Sequence, residues 1–477
     1  MFFAPYFGSL DLKGVDVSNR KSLDHLFELS LCSLLRTVHG DSTKDTFIDI
    51  SNWNMSNVKS YRYMFTGASY MNVNFPTTWA IAENADLSHM FFGAAVGQPI
   101  KSGSSKIKLD ISCMQLENAG NLKGMFEFFT PLDLPTDYKD SMIEFGQQTI
   151  NCADLSHMFE LCGMGVDLSG VKVTAAKDLD RMFALFGLGN RVKFSEGFKY
   201  DPLPTCYTTR LLLPEADNED EDKKPFETVQ GATADFMFAA SLVLNEDETP
   251  NADRYEMPGN VDMAFLNTTN IRRMEGMFML SQTSFDLTTL DTTNVDSVKM
   301  LFMGYGAIKA FIKSGKKIDD NAKQITYPIL TFPASTSSKI KLKANCDVKY
   351  MFTLANIPTI VSDTPSLTKL DAIDVSELKN FDCMFALGLG MFNYDLSGWS
   401  FNKAESLNFT FAGYGLVPKI SVSKASIMLS YCVTPQPKLP TYASPSASSV
   451  NAVGTFLGAT FFGVSDKTTT SSLDLSS

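Results

Sequence analysis

The sequence predicts a repeat solenoid of about 13–14 rungs, a β-rich α/β fold in which short parallel β-strands alternate with short helical turns. Three observations predict it. A Met-Phe pair, or a related pair, recurs along the chain. An apolar-Asp-apolar triplet precedes many of these pairs at a constant distance. The interval between pairs has a minimum of about 24 residues with a variable excess, which is typical of solenoid rungs that carry surface insertions.

A recurrent phenylalanine sets the register of the repeats. The shortest intervals run from Phe159 to Phe183 and from Phe278 to Phe302, and the longest runs from Phe183 to Phe238. We expect each Phe to stack on the Phe of the next rung and to bury a continuous apolar ladder. The aligned residues are Phe27, Phe65, Phe91, Phe126, Phe159, Phe183, Phe238, Phe278, Phe302, Phe352, Phe385, Phe411 and Phe456.

The apolar-Asp-apolar triplet places its Asp at a constant distance before the Phe, as Leu10-Asp11-Leu12 does before Phe27. Alternation with period two predicts a short strand whose Asp points outward. Two interpretations remain open: each Asp accepts hydrogen bonds from the turn that follows it, or the aspartates form an anionic stripe that binds a basic partner or cations. The stripe comprises Asp11, Asp49, Asp110, Asp133, Asp167, Asp262, Asp286 and Asp395.

The segment that leads into the Phe has helical spacing. An apolar residue stands four positions before the Phe, as at Leu23 and Leu155, and the residue just before the Phe is often Met. This spacing predicts one or two helical turns. A glycine two positions past the Phe predicts the end of the helix. These glycines are Gly67, Gly93, Gly304, Gly413 and Gly458.

The organisation that we expect is an N-terminal cap over residues 1–8 and one continuous solenoid over residues 9–477. Some strands end in Pro, as in "VNFPTTW" and "LTFPAST", and Pro blocks further strand pairing. We therefore expect inserted loops or hairpins near residues 97–108, 135–150, 205–228, 313–341 and 421–449.

Composition limits the classes of partner. The chain of 477 residues carries 41 basic and 53 acidic residues, a net charge of −12, and has no basic run, so we expect no nucleic-acid partner. No stretch approaches the roughly 18 consecutive apolar residues of a membrane span, so we expect no membrane insertion. The start, "MFFAPYFGSLDLKG", does not resemble a signal peptide, and we expect cytoplasmic synthesis. The eight cysteines have no regular spacing and indicate small buried apolar residues rather than disulfides.

Three stretches carry a family resemblance: "DISNWNMSNVKSYRYMF", "DLTTLDTTNVDSVKMLF" and "DLSGWSFNKAESLNFTF". They resemble the D-L-S-x-W-x-T-S-x-V-x-x-M-x-x-M-F repeat of BspA-like leucine-rich-repeat surface proteins. The resemblance extends from about Gly8 to the end of the chain. It implies a leucine-rich-repeat-like fold, exposure at a surface, and adhesion or protein binding without chemistry in the repeat. The long insertions and the start of the chain depart from the family pattern.

Candidate sites for chemistry are few. Three of the four histidines, His25, His89 and His157, share the position two before the Phe. Alternate rungs lie about 10 Å apart, too far for these histidines to share one metal ion, so we predict no metal site there. The loop "PEADNEDEDKKP", with Asp217, Glu219, Asp220 and Asp222, is a candidate cation loop or a solvated tip. No catalytic motif emerges, and we predict no cofactor.

Function is therefore predicted to be non-enzymatic binding or adhesion, as a scaffold exposed on a cell or a virion. The predicted partner is a protein or glycan surface, with further subunits of an assembly at the solenoid ends. The alternative is a structural or receptor-binding component of a phage or virus particle. An alternative of a different class is a polysaccharide-processing enzyme, which would need two carboxylates that face one groove.

Overall fold

The protein is described by a computed structural model. The expected cap at residues 1–8 lies outside the described residues. Those residues are 10–29, 47–96, 98–99, 107–129, 142–187, 192–193, 199–200, 210–216, 224–243, 259–306, 328–334, 340–355, 357, 368–386, 394–396, 398–412, 421–422, 425–426 and 452–453.

The chain divides into two compact units. Unit 1 comprises Met1–Ala232, Ser241–Ala252 and Phe265–Asn267. Unit 2 comprises Thr233–Ala240, Asp253–Ala264 and Thr268–Ser477. Both consist of short, mostly parallel β-strands joined by turns.

The strands of unit 1 are numbered here in chain order. They are β1 (Leu10–Asp11), β2 (Phe47–Asp49), β3 (Ser69–Asn74), β4 (Ala85–Asp86), β5 (Ala95–Val96), β6 (Gln98–Pro99), β7 (Ile107–Asp110), β8 (Ala119–Asn121), β9 (Met142–Glu144), β10 (Gln148–Ile150), β11 (Gly165–Asp167), β12 (Val171–Asp178), β13 (Val192–Lys193), β14 (Lys199–Tyr200), β15 (Leu211–Leu212) and β16 (Phe226–Thr233), whose last residue is counted in unit 2. The main sheets have the strand orders β1-β2-β3-β5 and β15-β11-β9-β7-β6. Strands β10, β12 and β16 are neighbours in a further sheet, and β4 pairs with β8.

The strands of unit 2 are β17 (Asn260–Asp262), β18 (Ile271–Arg273), β19 (Ser284–Asp286), β20 (Leu330–Thr331), β21 (Thr368–Lys369), β22 (Tyr394–Asp395), β23 (Ser421–Val422) and β24 (Ala425–Ser426). Here β17-β19-β20 form one parallel sheet and β21-β22 a parallel pair. In the described part of the chain, helix is confined to the single 3-10 turns Leu116–Asn118 and Met263–Phe265. None of the described helices has the length and apolar character needed to cross a membrane.

The predicted helical turns at the Met-Phe pair are wrong. The residues two before and two after the Phe have left-handed backbone conformations, such as His25 (φ 57°) and Leu29 (φ 52°) on either side of Phe27. Left-handed residues interrupt a right-handed helix, so the segment becomes a series of tight turns. Gly67, Gly93 and Gly304 also have positive φ, but turns and not helices precede them, so they are not helix ends. Gly413 and Gly458 lie outside the described residues.

These turns satisfy their backbone groups in two ways. Every second amide donates to the next repeat: those of Leu23, His25, Phe27 and Leu29 donate to the carbonyls of Ser60, Arg62, Met64 and Thr66 at 2.9, 3.0, 2.8 and 2.7 Å. The intervening amides bond three positions back, as from Leu26 to Leu23 at 3.2 Å. The segment can therefore be buried without unpaired backbone groups, although it is neither helix nor regular strand.

The Phe ladder is confirmed within each unit. In unit 1 the rings of Phe27, Phe65, Phe91, Phe126, Phe159 and Phe183 stack in sequence, with centroids 5.2–5.6 Å apart. In unit 2 those of Phe238, Phe278, Phe302, Phe352, Phe385 and Phe411 stack with centroids 5.0–6.4 Å apart. All twelve side chains are buried. Phe456 lies outside the described residues.

The parts of the expected insertions that are described include paired strands. Near residues 97–108, β6 pairs antiparallel with β7, in a register that places Gln98 opposite Lys108. Near 135–150, β9 and β10 pair in parallel with β11 and β12. Near 421–449, β23 pairs antiparallel with β24. The rest of these insertions and much of 205–228 and 313–341 lie outside the described residues.

Candidate functional site

The strand aspartates make the turn hydrogen bonds expected of them. In each case Oδ1 accepts the amide of the residue two positions on, as from Ser51 to Asp49 at 3.0 Å and from Thr288 to Asp286 at 2.9 Å. Serine hydroxyls at Ser51 and Ser169 add a second bond to Asp49 and Asp167. The described aspartates that do this are Asp11, Asp49, Asp110, Asp167, Asp262 and Asp286.

Two further rows of such turns were not predicted from the sequence. One row lies five positions past the strand aspartates, where Asp16 accepts the amide of Ser18 at 2.9 Å and Asp291 that of Thr293 at 2.9 Å. The other lies five positions before the Phe, where Asp86 accepts the amide of Ser88 at 2.9 Å. Aspartate therefore stabilises turns at three positions of the repeat, because its short side chain accepts a hydrogen bond from the backbone of the turn that follows it.

Strand pairing aligns the strand carboxylates. The parallel register places Asp11 opposite Asp49, Asp110 opposite Glu144, Glu144 opposite Asp167, and Asp262 opposite Asp286. We call these seven residues the strand carboxylate row. Asp133, also predicted for the stripe, lies outside the described residues, as does the side chain of Asp395, whose strand β22 pairs with β21.

Lysines offset part of this row. Lys13 Nζ lies 3.7 Å from Asp11 and 3.5 Å from Asp49, and Lys108 pairs with Asp110 at 3.9 Å and with Glu144. Among the described residues, no ion pair forms at Asp167, Asp262 or Asp286. Asp110 and Asp262 are exposed, so the charge of the row reaches the surface.

Asp49 departs from the predicted outward orientation, since the residue is only 7% exposed. Burial alone would raise the pKa of Asp49. Hydrogen bonds from Ser51 and Asn74, together with the charge of Lys13, outweigh burial and lower the pKa below its usual value of 3.8. Asp49 is thus a buried, charged residue that stabilises a turn.

The histidine position forms a second polar cluster, in unit 1. The ring of Tyr63 stacks between His25 and His89 with centroids 5.1 and 5.2 Å away, so these two histidines do not meet. His157 Nδ1 contacts Glu160 Oε2, and Arg181 Nη1 lies 3.3 Å from Glu160 Oε1. Its hydrogen bond to Glu160 raises the pKa of His157, and burial only partly opposes this.

Glu127, His157 and Glu160 bring one ligand atom each within 4.8 Å of one another. The prediction of no metal site considered the histidines alone and left these carboxylates out. Their signal in the sequence is a Glu directly after the Phe of one repeat and an H-x-x-E in the next, "HMFE" at 157–160. The two positions become neighbours only when consecutive repeats are stacked.

The candidate cation loop and the cysteines add no further site among the described residues. Asp217, Glu219, Asp220 and Asp222 of the candidate cation loop lie outside the described residues. The described cysteines are free, and burial raises the pKa of Cys162 and Cys346 to about 12. Such thiols stay protonated at neutral pH and are poor nucleophiles, which fits the prediction of buried apolar cysteines. Cys32, Cys206 and Cys432 lie outside the described residues.

Comparison with known proteins gives one match. A sequence model of the family described as "Mycoplasma protein of unknown function, DUF285" matches five stretches, residues 11–103, 33–159, 214–315, 255–343 and 352–417. Together these stretches cover well over half of the chain, and several overlap, as expected for repeats. No curated protein and no solved structure matches the chain.

Proposed function

This chain belongs to the family described as "Mycoplasma protein of unknown function, DUF285", and we propose that it is a non-enzymatic repeat scaffold that binds a basic protein surface. The binding face in each unit is formed by the residues of the strand carboxylate row that lie in that unit. The repeats hold each face rigid, because each strand is fixed by backbone pairing and by the buried Phe ladder beneath the adjoining turns.

The observation that carries this proposal is the register of the strands. Neighbouring parallel strands lie about 4.8 Å apart, so aligned carboxylates repel one another and cost stability unless something offsets them. Lys108 offsets two carboxylates at Asp110 and Glu144, whereas Asp262 and Asp286 have no ion pair among the described residues. Lysine or arginine side chains of a partner would neutralise the carboxylates that have no such ion pair.

The finer architecture belongs to the same proposal. We propose that the repeats of each unit form a solenoid of the BspA-like leucine-rich type. Parallel strand pairing at a constant position, ladder hydrogen bonds between consecutive turns and ring stacking from repeat to repeat support it. A solenoid presents the same row of side chains at every rung, which suits an extended binding face.

The setting that we propose is a surface, either of a cell or of a virion. Adhesion at a cell surface follows from the resemblance to BspA-like proteins. The alternative is a structural or receptor-binding component of a virus particle. Quantitative mass spectrometry of purified particles and of cell-surface fractions distinguishes the two, because the protein should be enriched in only one.

Binding of polylysine tests the binding face. We expect the full chain to bind it, and the double variant Asp262→Asn/Asp286→Asn to bind at least about fivefold more weakly, because two uncompensated charges are removed. Asn keeps an oxygen that accepts the turn hydrogen bond, so the fold is preserved.

The matched control is Glu377→Gln/Glu405→Gln, also in unit 2. It removes the same net charge from exposed carboxylates that already pair with Lys403 and Lys379. We expect its polylysine affinity to fall less than about twofold. Equal losses in the two double variants would mean that binding follows net charge alone, and the proposed face would be wrong.

A further inference from the structure

The stacked turns of unit 1 bring together side chains from consecutive repeats. Glu127 follows Phe126, whereas His157 and Glu160 flank Phe159 in the next repeat. Their ligand atoms lie within 4.8 Å of one another. The side chain of Glu160 is only 10% exposed, and those of Glu127 and His157 are partly buried. Two carboxylates and an imidazole are thus held close together in a partly buried cluster.

A glycine leaves space beside Glu127 for an imidazole of the preceding repeat. Gly124 has the position that holds His89 and His157 in the neighbouring repeats, and its φ is 57°. A β-carbon on Gly124 would lie 2.4 Å from His89 Nδ1 and 2.7 Å from Glu127 Oε2, so these two atoms converge over the glycine. His89 Nδ1 is buried, lies 3.3 Å from Glu127 Oε2 and makes no hydrogen bond with a described residue.

We propose that Glu127, His157 and Glu160 bind one divalent transition-metal ion of the Zn²⁺ type. Imidazole nitrogens and carboxylate oxygens are common Zn²⁺ ligands, whereas Ca²⁺ and Mg²⁺ take oxygen ligands. Ligands at about 2.0–2.1 Å from Zn²⁺ are about 3.3 Å apart in a tetrahedron. The ligand atoms of Glu127, His157 and Glu160 lie within 4.8 Å of one another, so small side-chain rotations would bring them to this separation.

The charges around the site fit a cation. Arg181 lies beside Oε1 of Glu160, and His157 contacts Oε2, the oxygen directed into the cluster. Glu127 has no arginine or lysine within ion-pair distance among the described residues. Glu127 and Glu160 are the anionic donors, although Arg181 partly offsets the charge of Glu160, and His157 adds a neutral donor.

The same chain contains a matched pair without the rest of the site. His25 and Glu28 have the same positions relative to Phe27 as His157 and Glu160 have relative to Phe159, and His25 Nδ1 lies 2.9 Å from Glu28 Oε2. Tyr63, not Gly, stands beside them and stacks on His25, and no second carboxylate joins them within the described residues. This pair should not bind the metal.

Isothermal titration of the full chain with ZnCl₂ tests the proposal. We expect one equivalent of Zn²⁺ to bind at the cluster, and Glu127→Gln/His157→Gln to weaken that event at least about tenfold, since two of the three donors are lost. The control His25→Gln/Glu28→Gln should bind Zn²⁺ like the unaltered chain. Thermal unfolding without metal shows whether each variant folds.

Thermal unfolding with Zn²⁺ gives a second readout, because a ligand that binds only the folded chain raises the unfolding midpoint. The midpoint should rise in the unaltered chain and in the His25→Gln/Glu28→Gln control, and not in the cluster variant. Should the double variant fail to fold, Glu127→Gln alone serves, since this side chain is partly exposed. The absence of Zn²⁺ binding by the unaltered chain, or equal binding by the cluster variants, would overturn the proposal.

Discussion

The side chain of Leu280 lies over the backbone of Gly304 in the next repeat, where a β-carbon would be 2.4 Å from Leu280 Cδ2. Leu29 lies over Gly67 in the same way, with a corresponding distance of 2.5 Å. Both glycines stand two positions past the Phe and have positive φ. A large left-handed residue in one repeat can therefore require glycine in the next, for conformation and for space.

Gly304→Ala is expected to destabilise the protein by about 1–3 kcal/mol, because it adds both backbone strain and a clash with Leu280. Combining it with Leu280→Ala removes the clash, so the double variant should be at least about 1 kcal/mol more stable than the sum of the single effects predicts. Urea unfolding of the four proteins measures this coupling.

The control is Gly231→Ala. Gly231 has φ 80°, and a β-carbon added to it would meet nothing within 4 Å, so the substitution adds backbone strain without a clash. Gly231→Ala should be independent of Leu280→Ala. Strict additivity of Gly304→Ala and Leu280→Ala would refute the close approach.

The sequence could predict the Phe ladder and the strands because both depend on a regular spacing. It could not distinguish helical turns from the tight turns around the Phe. Inward residues at Leu23, Leu26 and Phe27 recur at intervals of three or four in either structure. What decides between them is the left-handed conformation of His25 and Leu29, which is uncommon for residues other than glycine and is not signalled by these residues alone.

Phe352→Ala should cost about 3–5 kcal/mol of unfolding free energy, because the ring is buried between Phe302 and Phe385 in the ladder. Phe409→Ala is the control. Phe409 is 39% exposed, two positions before Phe411, and its removal should cost less than about 1 kcal/mol. Chemical denaturation gives both values, and similar costs at the two positions would contradict a ladder that stabilises the fold.

Asp262→Ala/Asp286→Ala should destabilise the protein by about 1 kcal/mol for each residue, because the amides of Ala264 and Thr288 lose their acceptors. Asp262→Asn/Asp286→Asn should be close to the unaltered chain in stability, since Asn accepts the same bond. Thermal and urea unfolding measure the difference. If the Asn variant were as unstable as the Ala variant, the aspartates would stabilise the fold by charge and not through the turn.

Asp49 should make stability depend on pH in the acid range. Burial opposes ionisation, but the hydrogen bonds from Ser51 and Asn74 and the charge of Lys13 lower its pKa below 3.8 in the folded chain. The stabilising contribution is complete above the unfolded pKa and is lost as the pH falls through the lower folded value. Unfolding midpoints between about pH 6 and pH 2 should fall less steeply in Asp49→Asn. Parallel profiles would contradict this role.

The two candidate sites differ in how much of each could be predicted from the sequence. The strand aspartates form one column of the repeat, so their shared face was predictable, although the burial of Asp49 was not. The cluster of Glu127, His157 and Glu160 joins two columns that become neighbours only when repeats stack. The space beside this cluster exists because Gly124 has no side chain. The distance from His89 to Glu127 therefore follows from the structure alone.

Cross-linking tests the proposed binding face most directly. Carbodiimide treatment of the polylysine complex joins lysine amines to the carboxylates that they touch, and mass spectrometry identifies the joined residues. We predict cross-links concentrated at the strand carboxylate row, above all at Asp262, Asp286 and Asp110. Cross-links at Glu377 and Glu405 in equal yield, with none enriched along the strands, would contradict the account.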